Sequence, residues 1–271
     1  MPESGVAVSE AVREGVIAIA RDAAAAIIDI YRDGFDVTHK ADASPLTQAD
    51  LAAHHCIVDG LARLTPGIPV LSEESAHLVD AATRRGWDRL WLVDPLDGTR
   101  EFVKRNGEFT VNIALIDRGV SVFGVIQAPV TGVLWHGMPG QGAFRRDEDG
   151  ERRLRVRAPA VAPLHVAASR SHRDARTEAL MARMGEVQPV GLGSSLKFCR
   201  LAEGAMDVYP RFGPTSEWDT GAGQAILEAA GGLLVDPLGR PFRYNQRETL
   251  LNGDFIALGD PALPWRSWVE L

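Results

Sequence analysis

Two cysteines in 271 residues exclude a disulfide scaffold, and Cys56 and Cys199 lie in no metal-ligand spacing. Both read as buried small hydrophobes of a reducing compartment, and no thiol chemistry is assigned to them. Long apolar runs are missing as well. The Ala/Ile-rich stretch over 16–30 is broken by Arg21 and Asp22, and the start has no basic segment leading into an apolar one. Neither a membrane span nor a secretory leader is therefore expected, and a cytoplasmic location is. Positive charge is in short supply: 29 Lys and Arg face 36 Asp and Glu, a net charge of −7. That balance argues against a nucleic-acid polymer as main partner, since such affinity rests on clustered cations. A small anion remains admissible if a metal supplies the positive charge. Also absent are a Ser-His-Asp order, a cysteine nucleophile, a G-x-x-x-x-G-K-[ST] phosphate loop, internal repeats and low-complexity linkers.

What is present suits one large or two closely packed domains, with 45% hydrophobic residues for a core. Val12, Val16, Ile19, Ala23, Ile27 and Ile30 recur at helical spacing and predict a first helix ending near Gly34. Thr47-Gln48-Ala49-Asp50 forms a capping-box pattern that opens a second helix through Leu61. Short strand signal follows at Val70 and Leu71, which puts Glu73 at a strand end. Residues 109–116, 120–128 and 132–136 read as an antiparallel meander, and 145–153 as a polar connection. From His165 strands and helices alternate: strands at 165–168, 206–209 and 233–235, helices at 174–184, 196–203 and 220–230. The expected class is α/β, with an α+β half over 1–160 and an α/β half over 161–271.

The densest chemical signal is Asp94-Pro95-Leu96-Asp97-Gly98-Thr99 after the apolar run Leu90 to Val93. Pro95 forbids continuation of a paired ladder, so both carboxylates are expected to emerge into a loop at the strand's C-terminal end. Gly98 lets backbone N–H groups approach an anion, and a helix starting near Thr99 adds its positive end. Paired carboxylates beside such a cradle suit Mg²⁺-assisted phosphoryl transfer. Each acid alone is equally well a solvated residue or a helix cap. Asp219 follows Trp218, a core residue, at the opening of a helix carrying small residues. His172 and Lys197 fall in loops at strand ends, where α/β ligands gather. Lys104 and Arg105 read as support for the metal-binding loop, as rim groups or equally as a solvated basic pair.

The sequence resembles the inositol monophosphatase superfamily. Its motifs D-P-[ILV]-D-G-T and W-D-x-A-A-G are matched by 94–99 and by Trp218-Asp219-Thr220-Gly221-Ala222-Gly223, and its E-E-S element by Ser72-Glu73-Glu74-Ser75. The bisphosphate nucleotidase branch is matched further by 43–50, 100–112, Ser169-Arg170-Ser171-His172 and Gly193-Ser194-Ser195-Leu196-Lys197-Phe198. Gly221 departs from the usual Ala, at a helix-propensity cost of about 1 kcal/mol.

The resemblance implies a layered α/β/α/β/α sandwich with the cleft between its halves. It implies two or three Mg²⁺ ions held by Glu73, Asp94, the carbonyl of Leu96, Asp97 and Asp219, with Asp94 bridging. Asp50 and Thr99 align or activate the attacking water with help from Glu74. Gly98, Thr99, Ser194, Asp219, His172 and Lys197 contact substrate, the last two at the nucleotide's second phosphate and ribose. Asp50 also has a complete explanation as a cap, and Glu74 as an orienting group. The implied activity is hydrolysis of the 3'-phosphate of adenosine 3',5'-bisphosphate, extending to 3'-phosphoadenylyl sulfate, in sulfur assimilation or nucleotide recycling. Li⁺ sensitivity and a homodimer accompany the resemblance. Inositol or histidinol monophosphate hydrolysis on the same fold, and a non-catalytic metal-dependent anion binder, stand as alternatives.

Overall fold

The computed structural model describes residues 8–34, 37–39, 45–168 and 175–269. Helix α1 (Glu10–Asp33) starts where Ser9 Oγ accepts the Val12 N–H at 3.2 Å and buries Val16, Ile17, Ala20, Ala23, Ala24 and Ile27 along one face. After a short ribbon of β1 (Val37–His39) and β2 (Pro45–Thr47) comes α2 (Gln48–Leu64), opened by the expected capping box of Thr47 and Asp50. Next in the chain are β3 (Val70–Ser72), α3 (Ala81–Arg85), β4 (Arg89–Asp97), the single-turn α4 (Thr99–Val103), β5 (Thr110–Asp117), β6 (Val120–Gln127) and β7 (Leu134–Met138). Strands β8 (Gly142–Asp147) and β9 (Gly150–Leu154) complete a seven-stranded sheet ordered β3-β4-β5-β6-β7-β8-β9, parallel at β3–β4 and antiparallel elsewhere.

The β8–β9 hairpin corrects the expectation of a polar connection over 145–153. Strand signal is usually an apolar alternation, whereas this ribbon is held by charge. Arg146 lies directly across from Glu151 and bonds it. Arg146 also reaches Glu14 of α1 through two bonds of 2.6 and 2.7 Å, and Glu151 bonds the buried His136 at 2.9 Å. Charged side chains on the outer strand also guard the sheet edge against further pairing.

The second sheet is ordered β11-β10-β12-β14-β13. It comprises β10 (Leu164–Ala168), β11 (Val187–Gly191), β12 (Val208–Arg211), β13 (Leu233–Val235) and β14 (Phe255–Leu258). Strand β14, unforeseen in the sequence, runs antiparallel to β12 and β13, so the sheet is mixed rather than wholly parallel. The strand expected over 206–209 runs instead to Arg211, because Pro210 is tolerated within it although it breaks the strand signal. Helices α5 (Ala175–Arg183), α6 (Leu196–Ala202), α7 (Glu217–Ala229) and α8 (Trp265–Val269) complete the fold.

The layers are α1 and α2, the large sheet, α6 and α7, the small sheet, then α5 and α8, as the resemblance implied. Period-two alternation on β5 divides the core: Val111, Ile113 and Leu115 face α1 and α2, while Ala114 and Ile116 face the inner layer. Each large side chain taken fully out of water, such as Trp91, Phe123 or Phe198, contributes roughly 1.5–3 kcal/mol. Helix α7 lies flush on β6, because a Cβ at Gly124 would stand 2.3 Å from the Ala222 carbonyl oxygen. Gly221 sits over Leu92 and Ala114, where an added Cβ would meet side-chain atoms at 3.1 and 3.2 Å. No helix among the described residues is long and apolar enough to cross a membrane.

Candidate active site

Strand β4 does not end at Pro95 as expected but runs on to Asp97. Asp94 pairs with Asn112 and Asp97 with Thr110, so three steps along β4 match two along β5 and one residue is extra. In a regular strand, residues three apart point to opposite faces. The bulge at Pro95 and Leu96 cancels that inversion and turns both acids to one side. Asp94 Oδ1 accepts the Leu96 N–H at 3.1 Å, which tightens the turn. Gly98 then adopts φ 93°, ψ 42°, left-handed backbone that favours glycine, and α4 begins at Thr99.

Asp219 arrives from the other half of the chain. The helix expected from Thr220 begins at Glu217, so Asp219 lies inside its first turn, in a second capping box: Ser216 N–H donates to Asp219 Oδ2 at 2.8 Å. Behind it Glu217, fully buried, accepts from Asn245 N at 2.6 Å and Arg247 Nη2 at 2.9 Å. Burial pushes the Glu217 carboxyl up, against the pull of these bonds. Together they anchor the start of α7.

Asp94, Asp97 and Asp219 place carboxylate oxygens within 4.8 Å of one another. Burial, then repulsion from Asp97, drives the Asp219 carboxyl well above the usual carboxylate range, with Glu73 adding to the push. Three crowded acids with only oxygen donors fit a hard divalent cation, whose charge would reverse that push. Glu73 stands just beyond β3 with its N–H on the Val93 carbonyl at 3.0 Å, and Glu74 beside it is half-buried. The Leu96 carbonyl accepts from Thr99 Oγ1 at 3.3 Å, and the same hydroxyl lies 3.2 Å from Asp50 Oδ1. Asp50 Oδ2 is occupied by Thr47 N–H and Oγ1 at 2.8 and 2.7 Å. Cap and neighbour of Thr99 are thus one residue.

From Asp97 and Asp219 a cavity of about 300 Å³ opens between the halves, lined also by Gly98, Ser194, Lys197, Tyr209 and Arg211. Lys197 Nζ donates to the Ser194 carbonyl at 2.9 Å and stands 5.2 Å over the Tyr209 ring. Burial pushes its ammonium down to about 8. Arg211 donates to the Pro214 carbonyl at 3.1 Å. Among the described residues neither cation forms an ion pair with an acid. Arg211 was not anticipated, because the strand was expected to stop at Tyr209. Ser195 and Asn112 were also missed: Ser195 N and Oγ both bond Asp97 Oδ2, and Asn112 Nδ2 reaches Ser195 Oγ. The basic pair divides, with Lys104 on the cavity wall and Arg105 bonded to the Tyr31 carbonyl at 2.7 Å. Trp218 packs half-buried against the inner core. Cys199 is buried as expected, but Cys56 is half-buried, since its helix face reaches the surface; burial raises both thiols. His172 lies outside the described residues.

The sequence profile of the inositol monophosphatase family matches residues 9–259. With an acid cluster on a bulged strand facing a capped helix across two layered sheets, the chain is a phosphatase and belongs to that family. It is 50% identical over 243 residues to the 3'(2'),5'-bisphosphate nucleotidase CysQ of Escherichia coli K12, covering 89% of this chain and 96% of that one. The Haemophilus influenzae protein of the same name is 35% identical over 254 residues, 93% of this chain and 94% of its own. The crystal structure of CysQ from Bacteroides thetaiotaomicron superposes with a TM-score of 0.78 at 45% identity, covering 90% and 96% of the two chains.

Proposed function

We propose that this phosphatase hydrolyses the 3'-phosphate of adenosine 3',5'-bisphosphate, and that of 3'-phosphoadenylyl sulfate, with Mg²⁺ as its metal. The observation that carries the substrate is the cavity's supply of cations: Arg100, Lys104, Lys197 and Arg211 line it beside the acids. Among the described residues neither Lys197 nor Arg211 forms a salt bridge, although Asp97, Glu101 and Glu108 favour the charged lysine. A second phosphate makes charge-assisted bonds with such cations that a substrate with one phosphate cannot. Identity of about half the residues to a named bisphosphate nucleotidase supports the same substrate.

Glu73, Asp94, the Leu96 carbonyl, Asp97 and Asp219 would hold two or three Mg²⁺ ions. Bound there, Mg²⁺ supplies positive charge to the phosphoryl oxygens and acidifies water. Asp50 Oδ1 and Thr99 Oγ1, 3.2 Å apart, orient the attacking water. With Oδ2 committed to Thr47, Oδ1 is the atom of Asp50 that receives the water's proton. Glu74 helps to orient that water. The water oxygen bonds to phosphorus, the bond to the ribose 3'-oxygen breaks, and that oxygen takes a proton from solvent. No phosphoenzyme forms. Gly98 and Ser194 bring backbone close to the substrate, Asp219 borders its ribose, and His172 joins Lys197 at the second phosphate.

Parallel assays of adenosine 3',5'-bisphosphate, inositol 1-phosphate and histidinol phosphate test this. The bisphosphate should be preferred, chelator should abolish turnover and Mg²⁺ should restore it. Preference for either monophosphate would overturn the nucleotidase assignment, and full activity in excess chelator the metal assignment.

A further inference from the structure

We infer that Ser195 is the positioning residue that fixes which oxygen of Asp97 meets the metal; this rests on the metal role given to Asp97 above. The argument is one of proton direction through a buried chain. Thr110 Oγ1 bonds Asn112 Oδ1 at 2.9 Å, and an amide oxygen can only accept, so the Asn112 NH₂ must face the other way. It faces Ser195 Oγ at 2.9 Å and Asp97 Oδ2 at 3.3 Å. Because Ser195 Oγ accepts from that amide, its single hydrogen is free to donate. Two acceptors lie within reach, Asp97 Oδ2 at 2.5 Å and the Asp219 carbonyl at 2.9 Å. The nearer one carries charge and takes the proton. Ser195 N–H adds a second bond to the same Oδ2 at 2.6 Å. Oδ2 is thereby saturated, and Oδ1 is left to the cation.

The local backbone is bent to this end. Ser195 occupies the cap position of α6, yet its side chain makes no capping bond, and Ser194 before it takes a φ of 45°. A serine at a helix start ordinarily gives its oxygen to the helix. Here it serves Asp97 instead. Thr110, Asn112 and Ser195 are all at most 2% exposed, so water does not compete for these bonds. With that hydrogen given to Asp97, the Asp219 carbonyl 2.9 Å away is a neighbour of the hydroxyl and not its partner, so the hydroxyl acts on Asp97 alone.

Mn²⁺ binding followed by calorimetry on the substrate-free protein reads this directly. Ser195→Ala should weaken Mn²⁺ about tenfold, the lower end of what groups orienting a metal ligand contribute. Its melting temperature in chelator should fall by a few degrees, because the buried Asn112 amide loses its near acceptor, and Ser195→Thr should restore part of the affinity by returning the hydroxyl. At saturating metal, kcat should fall while KM changes little. Wild-type Mn²⁺ affinity in Ser195→Ala overturns the inference. Should that variant not fold, Thr110→Val takes its place: it frees the Asn112 amide to flip, and unchanged affinity there overturns the inference equally. Failure of the wild-type protein to bind Mn²⁺ sinks the metal site itself, a result distinct from equal binding by wild type and variant.

Discussion

The same local device is built twice, at the starts of α2 and α7, and does different work in each place. In both, an acid three residues after the cap accepts the cap residue's N–H through Oδ2 at 2.8 Å. At α2 the other oxygen of Asp50 meets the hydroxyl of Thr99. At α7 Asp219 meets two more carboxylates and is forced toward protonation. A capping box therefore sets the orientation of a carboxylate, while its surroundings decide whether that carboxylate handles a proton or a cation. Local sequence supplies the first, tertiary structure the second.

Asparagine substitutions break the comparison most sharply, since an amide oxygen still accepts the capping N–H while the charge is gone. Asp219→Asn should lose several kcal/mol of transition-state stabilisation, about a thousandfold or more in kcat/KM, with a melting temperature in chelator no lower than wild type. Asp50→Asn should lower kcat about a hundredfold with little change in KM. A loss confined to about 1 kcal/mol of stability would make Asp50 only a cap. Steady-state kinetics with thermal melts separates these outcomes.

A smaller effect tests the far end of the cavity. Lys197→Ala should lower kcat/KM for adenosine 3',5'-bisphosphate about thirtyfold, one charged contact of order 2 kcal/mol, and leave inositol 1-phosphate nearly unaffected. Because the folded lysine is pushed down to about 8, its charge is present below that pH and lost above it. The bisphosphate KM should therefore rise as pH passes 8, and the variant should lack that rise. Equal losses on both substrates would move Lys197 from the second phosphate to the reacting one.

The smallest effect lies away from the site. Burial lowers the pKa of His136 below its unfolded value of 6.5, against the pull of Glu151. At higher pH the ring is neutral folded and unfolded alike; as pH falls through 6.5 the unfolded chain protonates first and stability is lost. Melting temperature should drop by a few degrees between pH 7 and 5, and less so in His136→Gln. Identical pH profiles would place the sensitivity elsewhere.

The acids that converge were legible because their types and spacing are improbable outside a cation site: Asp94 and Asp97 in one hexapeptide, Asp219 beside small helix residues. The helix caps were legible for the same local reason at Thr47, and Ser216-x-x-Asp219 carried the same pattern unused. Asn112, Ser195 and Arg211 were not legible, since an ordinary polar residue gains meaning only from what lies across the cleft. The β8–β9 hairpin escaped because its pairing rests on charge, and β14 because four apolar residues near the end of a chain do not announce a partner.

The close seating of α7 on the large sheet bears on how substrate enters. At Gly124 the helix backbone rests on the strand backbone with no side chain between them, and at Gly137 a Cβ would stand 2.7 Å from the Ile226 Cα. Side chains can slide or change rotamer to absorb a rotation, whereas main-chain atoms already in contact cannot. The helix that carries Asp219 is thus clamped to the sheet that carries Asp94 and Asp97, which removes the usual seam for hinge closure between two lobes. Substrate must come to the acids through the open mouth of the cavity, and whatever adjustment binding requires falls to the loops around it.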